Sequence, residues 1–303
     1  MLTDKQLNVA GLRSEFFDAL QAAPTIYQDL CTTIQSNKEK ESYGFLGSVP
    51  PARECGTGRK AQGMFTEKYD VTNSKYEISI SCSRDELDDD QTSQIRLRTR
   101  ELGERMAQFW DGEVARLLIN GHSSGCNSYD SVPFFSGSHV SGKSGTQDND
   151  ITSPAVAPTA PTTAEARTAI SSAIATLLGF RDDQNEPMNN DATGLAVIAP
   201  PATYLTFLEA LSATIVASTS NVLANAARVI AFPRLSTASV FYLLKLDVQV
   251  RPLILQQRMP VEFGALEQQS DAGFMREEYV YGARMRGRLG FGYWQRAIKV
   301  TLV

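Results

Sequence analysis

Thirty residues, from Gln91 to Asn120, pass without a proline, and apolar side chains recur through them at helical spacing: Ile95, Leu102, Met106, Phe109, Val114 and Leu117. Ser83 and Glu86 have the spacing of a capping box, in which side chains satisfy backbone amides that a first helical turn leaves unpaired. Asp88, Asp89 and Asp90 follow, where carboxylates suit the positive end of a helix dipole. Arg100 with Glu104, and Glu101 with Arg105, stand four residues apart on the outer face, each pair adding about 0.2–0.5 kcal/mol. A helix of this length spans ~45 Å at 1.5 Å per residue, against a mean of about 11–12 residues. Such a helix serves as a spine, and the rest of the chain is arranged along it.

Before the spine, Val9, Leu12, Phe16 and Leu20 mark one face of a shorter amphipathic helix. Thr3 and Gln6 are spaced as its capping box, and Pro24, which lacks the amide a helix interior needs, breaks or restarts it. Residues 44–63, GFLGSVPPARECGTGRKAQG, read as a long loop or extension. Behind it Tyr69 and Val71, then Tyr76, Ile78, Ile80 and Cys82, alternate with polar residues about Asn73-Ser74, the pattern of a β-hairpin. After the spine, residues 121–163 are loop-rich and end in the Pro/Ala/Thr linker TSPAVAPTAPTT. Thr162 and Glu165 open a helix that Gly179 closes. Leu195-Ala-Val-Ile-Ala is a short buried strand leading to Pro200-Pro201 and a helix with Tyr204, Leu205, Leu208 and Leu211. From Arg228 on the segments are mainly strands: RVIAF, VFYLLKL, RPLILQQ, EEYVYGARMR and GFGYW. The class is α+β with at least two lobes, and no internal repeat is present.

Composition narrows the function. With 303 residues, 42% hydrophobic and 21% charged, the chain is a folded one with room for one large core or two smaller ones. A net charge of −5 argues against a surface built to grip nucleic acid, which needs clustered lysine and arginine. No apolar run approaches the ~20 residues of a membrane helix. Asp4 and Gln6 stand where a secretory signal needs a basic and then an apolar stretch, so the chain is expected to be cytosolic when made. The cysteines at 31, 55, 82 and 126 lack CxxC spacing and read as free thiols, two or three of them buried. Only His122 and His139 are available as imidazole bases or ligands, a scarcity that argues against catalysis.

Several motifs invite a chemical reading. Gly137-Ser-His-Val-Ser-Gly142-Lys143-Ser144 satisfies the phosphate-loop pattern, whose amides cradle phosphates while the serine holds magnesium. That chemistry needs a strand before the loop and a helix after it, whereas Gly145-Thr-Gln-Asp-Asn-Asp opposes a helix. Gly121-His-Ser123-Ser-Gly125 matches a nucleophile elbow, but it follows a helix, and Gly121 reads better as the residue that stops it. His122, Cys126 and His139 are too irregularly spaced for a zinc site. Arg276, Arg284, Arg286, Arg288 and Arg296 interleave with Tyr279, Tyr281 and Tyr293, as in single-strand binders. Glu277 and Glu278 interrupt that row, which favours ion pairing between subunits.

The order of arm, loop, spine helix, lobe and returning strands resembles the Hong Kong 97-type phage capsid fold. Particular residues sharpen the resemblance: Glu41-Ser-Tyr43-Gly-Phe-Leu-Gly47 with Pro50 and Arg53-Glu54, Arg84-Asp-Glu-Leu-Asp-Asp-Asp90, and Pro133-Phe-Phe135 with His139. Ala199-Pro-Pro201, Arg251-Pro-Leu-Ile-Leu-Gln-Gln-Arg258, Tyr281-Gly282 and Gly290-Phe-Gly-Tyr-Trp294 continue it along almost the whole chain. Together they are similar to the Mu-like prophage major head subunit family, with Cys55 departing from the tryptophan common there.

The resemblance implies an N-terminal arm over residues 1–50 and an extended β-hairpin loop over 51–82 that lies across a neighbour. It implies a peripheral lobe of 83–155 and 228–303 containing the spine, and an axial lobe of 156–227. The implied function is a major capsid protein that self-assembles through pentamers and hexamers into an icosahedral shell around double-stranded DNA. Scaffold protein and portal would be its further partners. It would bind DNA without sequence specificity, use no cofactor, metal or membrane, and catalyse nothing. It would reside in the virion, after assembly in the bacterial cytoplasm. A fused scaffold domain is expected to be absent. Arg53, Glu54, Arg59, Lys60, Asp88, Asp89, Asp90, Arg284 and Arg286 are the expected intersubunit contacts, the loop's cations meeting the three aspartates of an adjacent copy. The competing readings are a nucleotide-binding enzyme using Lys143 and Ser144, and another virion structural protein.

Overall fold

The apolar stripe of the first helix finds its partner in the spine. The computed structural model describes residues 4–46, 66–83, 94–216, 219–266 and 278–303. Helix α1 (Asp4–Ala22) ends just before Pro24, and a single turn, α2 (Tyr27–Leu30), follows. Leu12 and Phe16 are buried, and α1 packs along α3 (Gln94–Ala107). The two helices touch at Gly103, where a methyl group would stand 2.5 Å from the Phe16 carbonyl oxygen and 3.2 Å from the Ala19 Cβ. Arg100 pairs across this contact with Glu15 at 3.5 Å rather than with Glu104.

The spine is two helical segments rather than one. Helix α4 (Phe109–Asn120) follows α3 after Gln108, which keeps helical angles at φ −77° and ψ −3°. The Gln108 carbonyl accepts from Gly112 N at 3.4 Å and from Arg234 Nη2 at 3.3 Å. An outside donor that competes for a helical carbonyl loosens the turn there. Thr3 and the proposed caps at Glu86 and Asp88–Asp90 lie outside the described residues. Gly121 ends the spine at φ −60°, so it is not the left-handed stop expected. Its lack of a side chain serves contact instead, since a Cβ would lie 2.7 Å from the Phe135 ring.

Strands β1 (Cys31–Gln35), β2 (Lys40–Leu46), β3 (Thr66–Thr72) and β4 (Ser74–Ser83) precede the spine. After it come β5 (His139–Val140), β6 (Thr146–Gln147), β7 (Asp150–Ser153), helix α5 (Thr163–Gly179), β8 (Leu195–Ala199) and helix α6 (Pro201–Ser212). The order ends with β9 (Ile215–Val216), β10 (Thr219–Ser220), β11 (Arg228–Ala231), β12 (Val240–Lys245), β13 (Leu253–Leu266), β14 (Glu278–Phe291) and β15 (Ala297–Leu302). One sheet has the order β1-β13-β14-β4 and the other β11-β8-β12-β15-β7. On the first, Ile80, Phe263, Ala265, Tyr279 and Tyr281 pack against Leu12 and Ile95 of the helices. On the second, β8 is buried at every position, as an unbroken apolar run requires. A single buried cluster runs from Phe16 through Trp110 and Phe134 to Trp294, joining both sheets.

Three sequence expectations change here. The strands at 66–72 and 74–83 exist but do not form a hairpin with each other: β3 pairs with β2, and β4 pairs with β14. Asn73 divides them, its side-chain amide donating to Ser36 Oγ at 3.0 Å and to the Lys38 carbonyl at 2.9 Å. The division of lobes at residue 228 does not follow the sheets, because β11, β12 and β15 share a sheet with β8. GFGYW is not one strand, since β14 stops at Phe291 and a 3-10 turn covers Trp294–Arg296. By contrast, the Thr162–Glu165 capping box forms in both directions, Glu165 N donating to Thr162 Oγ1 at 3.3 Å and Thr162 N to Glu165 Oε2 at 2.7 Å.

Candidate assembly surface

Residues 47–65, which carry Arg53, Glu54, Arg59 and Lys60, are joined to the body at the ends of an antiparallel ribbon. In it Leu46 of β2 stands opposite Thr66 of β3, and Lys40 opposite Thr72. These four loop residues, and Asp88–Asp90, lie outside the described residues. The foot of the ribbon is tied down by polar contacts. Tyr43 donates its hydroxyl to Gln256 Oε1 at 2.8 Å, and Lys40 pairs with Asp70 at 2.6 Å. Glu41 Oε1 accepts from Asn37 N, Lys38 N and Ser36 Oγ, each at 3.1 Å. The Asn37 amide, with the two further donors, holds its carboxyl below the usual carboxylate range, because each bond favours the charged form.

The C-terminal arginines divide by environment. Arg284 is exposed and pairs with Glu262 of the neighbouring strand at 2.9 Å. Arg286 is half-buried, stands opposite Lys75 in the register of β14 and β4, and its Nε has no hydrogen-bond partner among the described residues. Like charges placed directly opposite on a sheet repel, so this pair suits an acidic partner. Tyr279 and Tyr281 are buried in the core, and Tyr293 lies under the Arg296 guanidinium at 5.1 Å. The aromatic row therefore does not form a stacking platform for bases.

The candidate chemical motifs are taken up by the fold. In the phosphate-loop pattern, Ser144 Oγ accepts from Ser141 N and donates to the Gly145 carbonyl, both at 3.0 Å. The two-residue strand β6 follows at Thr146, with no helix. Gly142, at φ +52°, lies so close to Asp183 that a Cβ would stand 2.6 Å from its carbonyl oxygen. His139 is fully buried, with Nδ1 2.6 Å from Asp130 Oδ2 and its ring stacked on Trp294 at 4.1 Å. His122 is exposed and Cys126 half-buried. No group of three or more His, Cys, Asp or Glu suited to a metal occurs among the described residues. Nor, among them, is any helix long and apolar enough to cross a membrane.

Sequence reasoning passed over Asp111. It lies on the buried face of α4 and accepts the amides of Ile26 and Tyr27 at 3.0 and 2.8 Å, pinning the exit of the arm to the spine. Burial raises its pKa, with the Tyr27 and Ile26 amides opposing. The signal was present: an aspartate between Met106 and Val114, within the spine's apolar face.

This architecture of a spine helix under a long-stranded sheet, a helix-covered second sheet and a two-stranded ribbon is that of phage capsid shells. The whole chain superposes on a subunit of the procapsid of bacteriophage JBD30, with 24% identity, 77% of that chain covered and a TM-score of 0.57. It shares the fold of the mature capsid of bacteriophage PhiM1 (10% identity, 92% of this chain and 87% of that one, TM-score 0.63). The capsid of cyanophage P-SCSP1u is a third neighbour (14%, 93% and 89%, TM-score 0.61). The class is thus the Hong Kong 97-type capsid fold. The family model for the Mu-like prophage major head subunit gpT matches residues 6–166 and 234–302, and the chain belongs to that family. It is 26% identical to the major capsid protein of Escherichia phage Mu over 289 residues, which are 95% of this chain and 70% of that protein. It is 20% identical to the Mu-like prophage FluMu major head subunit of Haemophilus influenzae over 288 residues, with the same coverages. The chain is a major head subunit of the Mu-like type.

Proposed function

We propose that copies of this chain close, through pentamers and hexamers, into an icosahedral shell around double-stranded DNA. A separate scaffold protein guides assembly in the bacterial cytoplasm, and a portal occupies one vertex of the finished virion. The observation that carries this reading is the family match, which runs through the first helix, the spine and strands of both sheets. The role is structural and not enzymatic. In support, the serine of the phosphate-loop pattern is engaged by its own loop and His139 is enclosed by Asp130 and Trp294. The four-stranded sheet with the spine forms the peripheral lobe, and the five-stranded sheet with α5 and α6 forms the axial lobe. A mildly acidic chain lines such a container without clamping the genome, because like charge disfavours non-specific adhesion.

The test is sedimentation velocity of the chain co-expressed with its phage's scaffold. Closed particles of many subunits are expected. A monomer or dimer at every protein and salt concentration, with scaffold present, counts against the reading.

A further inference from the structure

A polar cleft of about 490 Å³ opens where three elements meet: β3 at the foot of the ribbon, the end of the spine with its following loop, and β14. Tyr69, Thr72, Ser74, Arg116, Asn127 and Arg288 are among the residues that line it. Its charges are unevenly matched. Arg116 is bound through Nε and Nη2 to Glu113, the closer contact being 2.7 Å. Asp70, also on the wall, is engaged by Lys40. Arg288 is half-buried and, among the described residues, has only two long contacts, from Nη1 to the hydroxyls of Ser74 and Tyr76, each at 3.4 Å. It has no carboxylate partner among the described residues. A guanidinium withdrawn from water without a counter-charge is costly, and its planar fork of donors matches an oxyanion in shape as well as charge.

We infer that this cleft is an oxyanion site, filled in the assembled shell by a carboxylate side chain of a second copy. The inference rests on the shell reading for its occupant and on the cleft alone for its chemistry. A second copy is the favoured source because each chain carries 34 acidic residues against 29 basic ones, so carboxylates outnumber cations on it. Thr72, Ser74 and Asn127 line the same cleft, with the Ser74 hydroxyl 3.4 Å from Arg288 Nη1, so polar side chains accompany the cation there. Filling the cleft would add a tie between the ribbon foot, the spine end and the long-stranded sheet when copies come together, beyond the Tyr43–Gln256 bond that already joins ribbon and sheet in the free subunit.

The experiment uses the full chain, unassembled and assembled, with inorganic phosphate as the probe at constant ionic strength. In the unassembled chain, phosphate is expected to raise the melting temperature above that in chloride. Arg288→Gln should weaken phosphate binding by about tenfold or more, as loss of a charged hydrogen-bonding group does. Arg13→Gln, on the first helix, should leave binding unchanged. Wild-type shells should not respond to phosphate, and Arg288→Gln shells should melt lower or form in lower yield. No phosphate response in the free wild-type chain, or an equal one in Arg288→Gln, overturns the site. A response in wild-type shells equal to that of the free chain overturns the second-copy occupant and leaves a free oxyanion in its place. If wild-type chains form no shells, the functional reading fails, while the free-chain comparison still decides the site.

Discussion

Two carboxylates show how single residues secure this fold, in opposite surroundings. Asp111 is buried and accepts two amides of the arm's exit. Asp111→Ala leaves those donors unpaired and should cost about 1–3 kcal/mol, whereas Asp111→Asn keeps an acceptor and most of the stability. Urea unfolding of the unassembled chain separates the two. Glu165 is half-buried at the start of its helix, and the amides of Val156 and Thr162 hold its carboxyl below the ordinary value of 4.5. A depressed folded-state pKa stabilises above the unfolded value and loses that stabilisation as pH falls through the folded one. Protection of the Val156 and Thr162 amides from exchange, relative to the intrinsic rate at each pH, should therefore fall below the ordinary glutamate value. Glu165→Gln should remove that pH dependence while keeping the helix start. The capping box was legible because it is a local pattern of two residue types. The role of Asp111 was not, because its partners lie 84 and 85 positions away.

At the scale of elements, periodicity revealed strands and helices but not their partners. Alternation gave β3 and β4 their extended form, and a turn-like Asn73 between them suggested a hairpin. Asn73 instead reaches back 37 positions to Ser36, so the chain passes from the ribbon into the long-stranded sheet. The true antiparallel partner of β3 is β2, which holds the basic segment 47–65 at its end. Continuous helical spacing likewise concealed the division at Gln108, whose carbonyl Arg234 reaches from 126 positions away. The pairing of Leu46 with Thr66, which flank the basic segment in the chain, favours our proposal that Arg59 and Lys60 reach the acidic run Asp88–Asp90 of an adjacent copy. Reversing both charges should lower shell yield in co-expression while leaving the far-ultraviolet circular dichroism of the subunit unchanged. Undiminished yield would sink that contact.

For the molecule as a whole, the two sheets share one buried cluster. Lobes that share a core unfold together, so the unassembled subunit should lose its aromatic near-ultraviolet signal and its far-ultraviolet signal in one coincident thermal transition. Two separated transitions would mean that the lobes are independent bodies. The α+β class was legible from the sequence, as were the spine, the buried run at 195–199 and most of the strands. The membership of the second sheet was not, because β15 joins β12 and β7 from the far end of the chain, and no local pattern records such a distance. That strand lies inside its sheet, antiparallel to β12 on one side and parallel to β7 on the other. A nascent chain therefore carries β7 while about 140 further residues are made before the strand that seats it. Since translation proceeds at about 5–20 residues per second, the second lobe stays unclosed for some seconds after its first strand emerges. The order of strands thus acts as a clock: a partly made subunit cannot complete its five-stranded sheet.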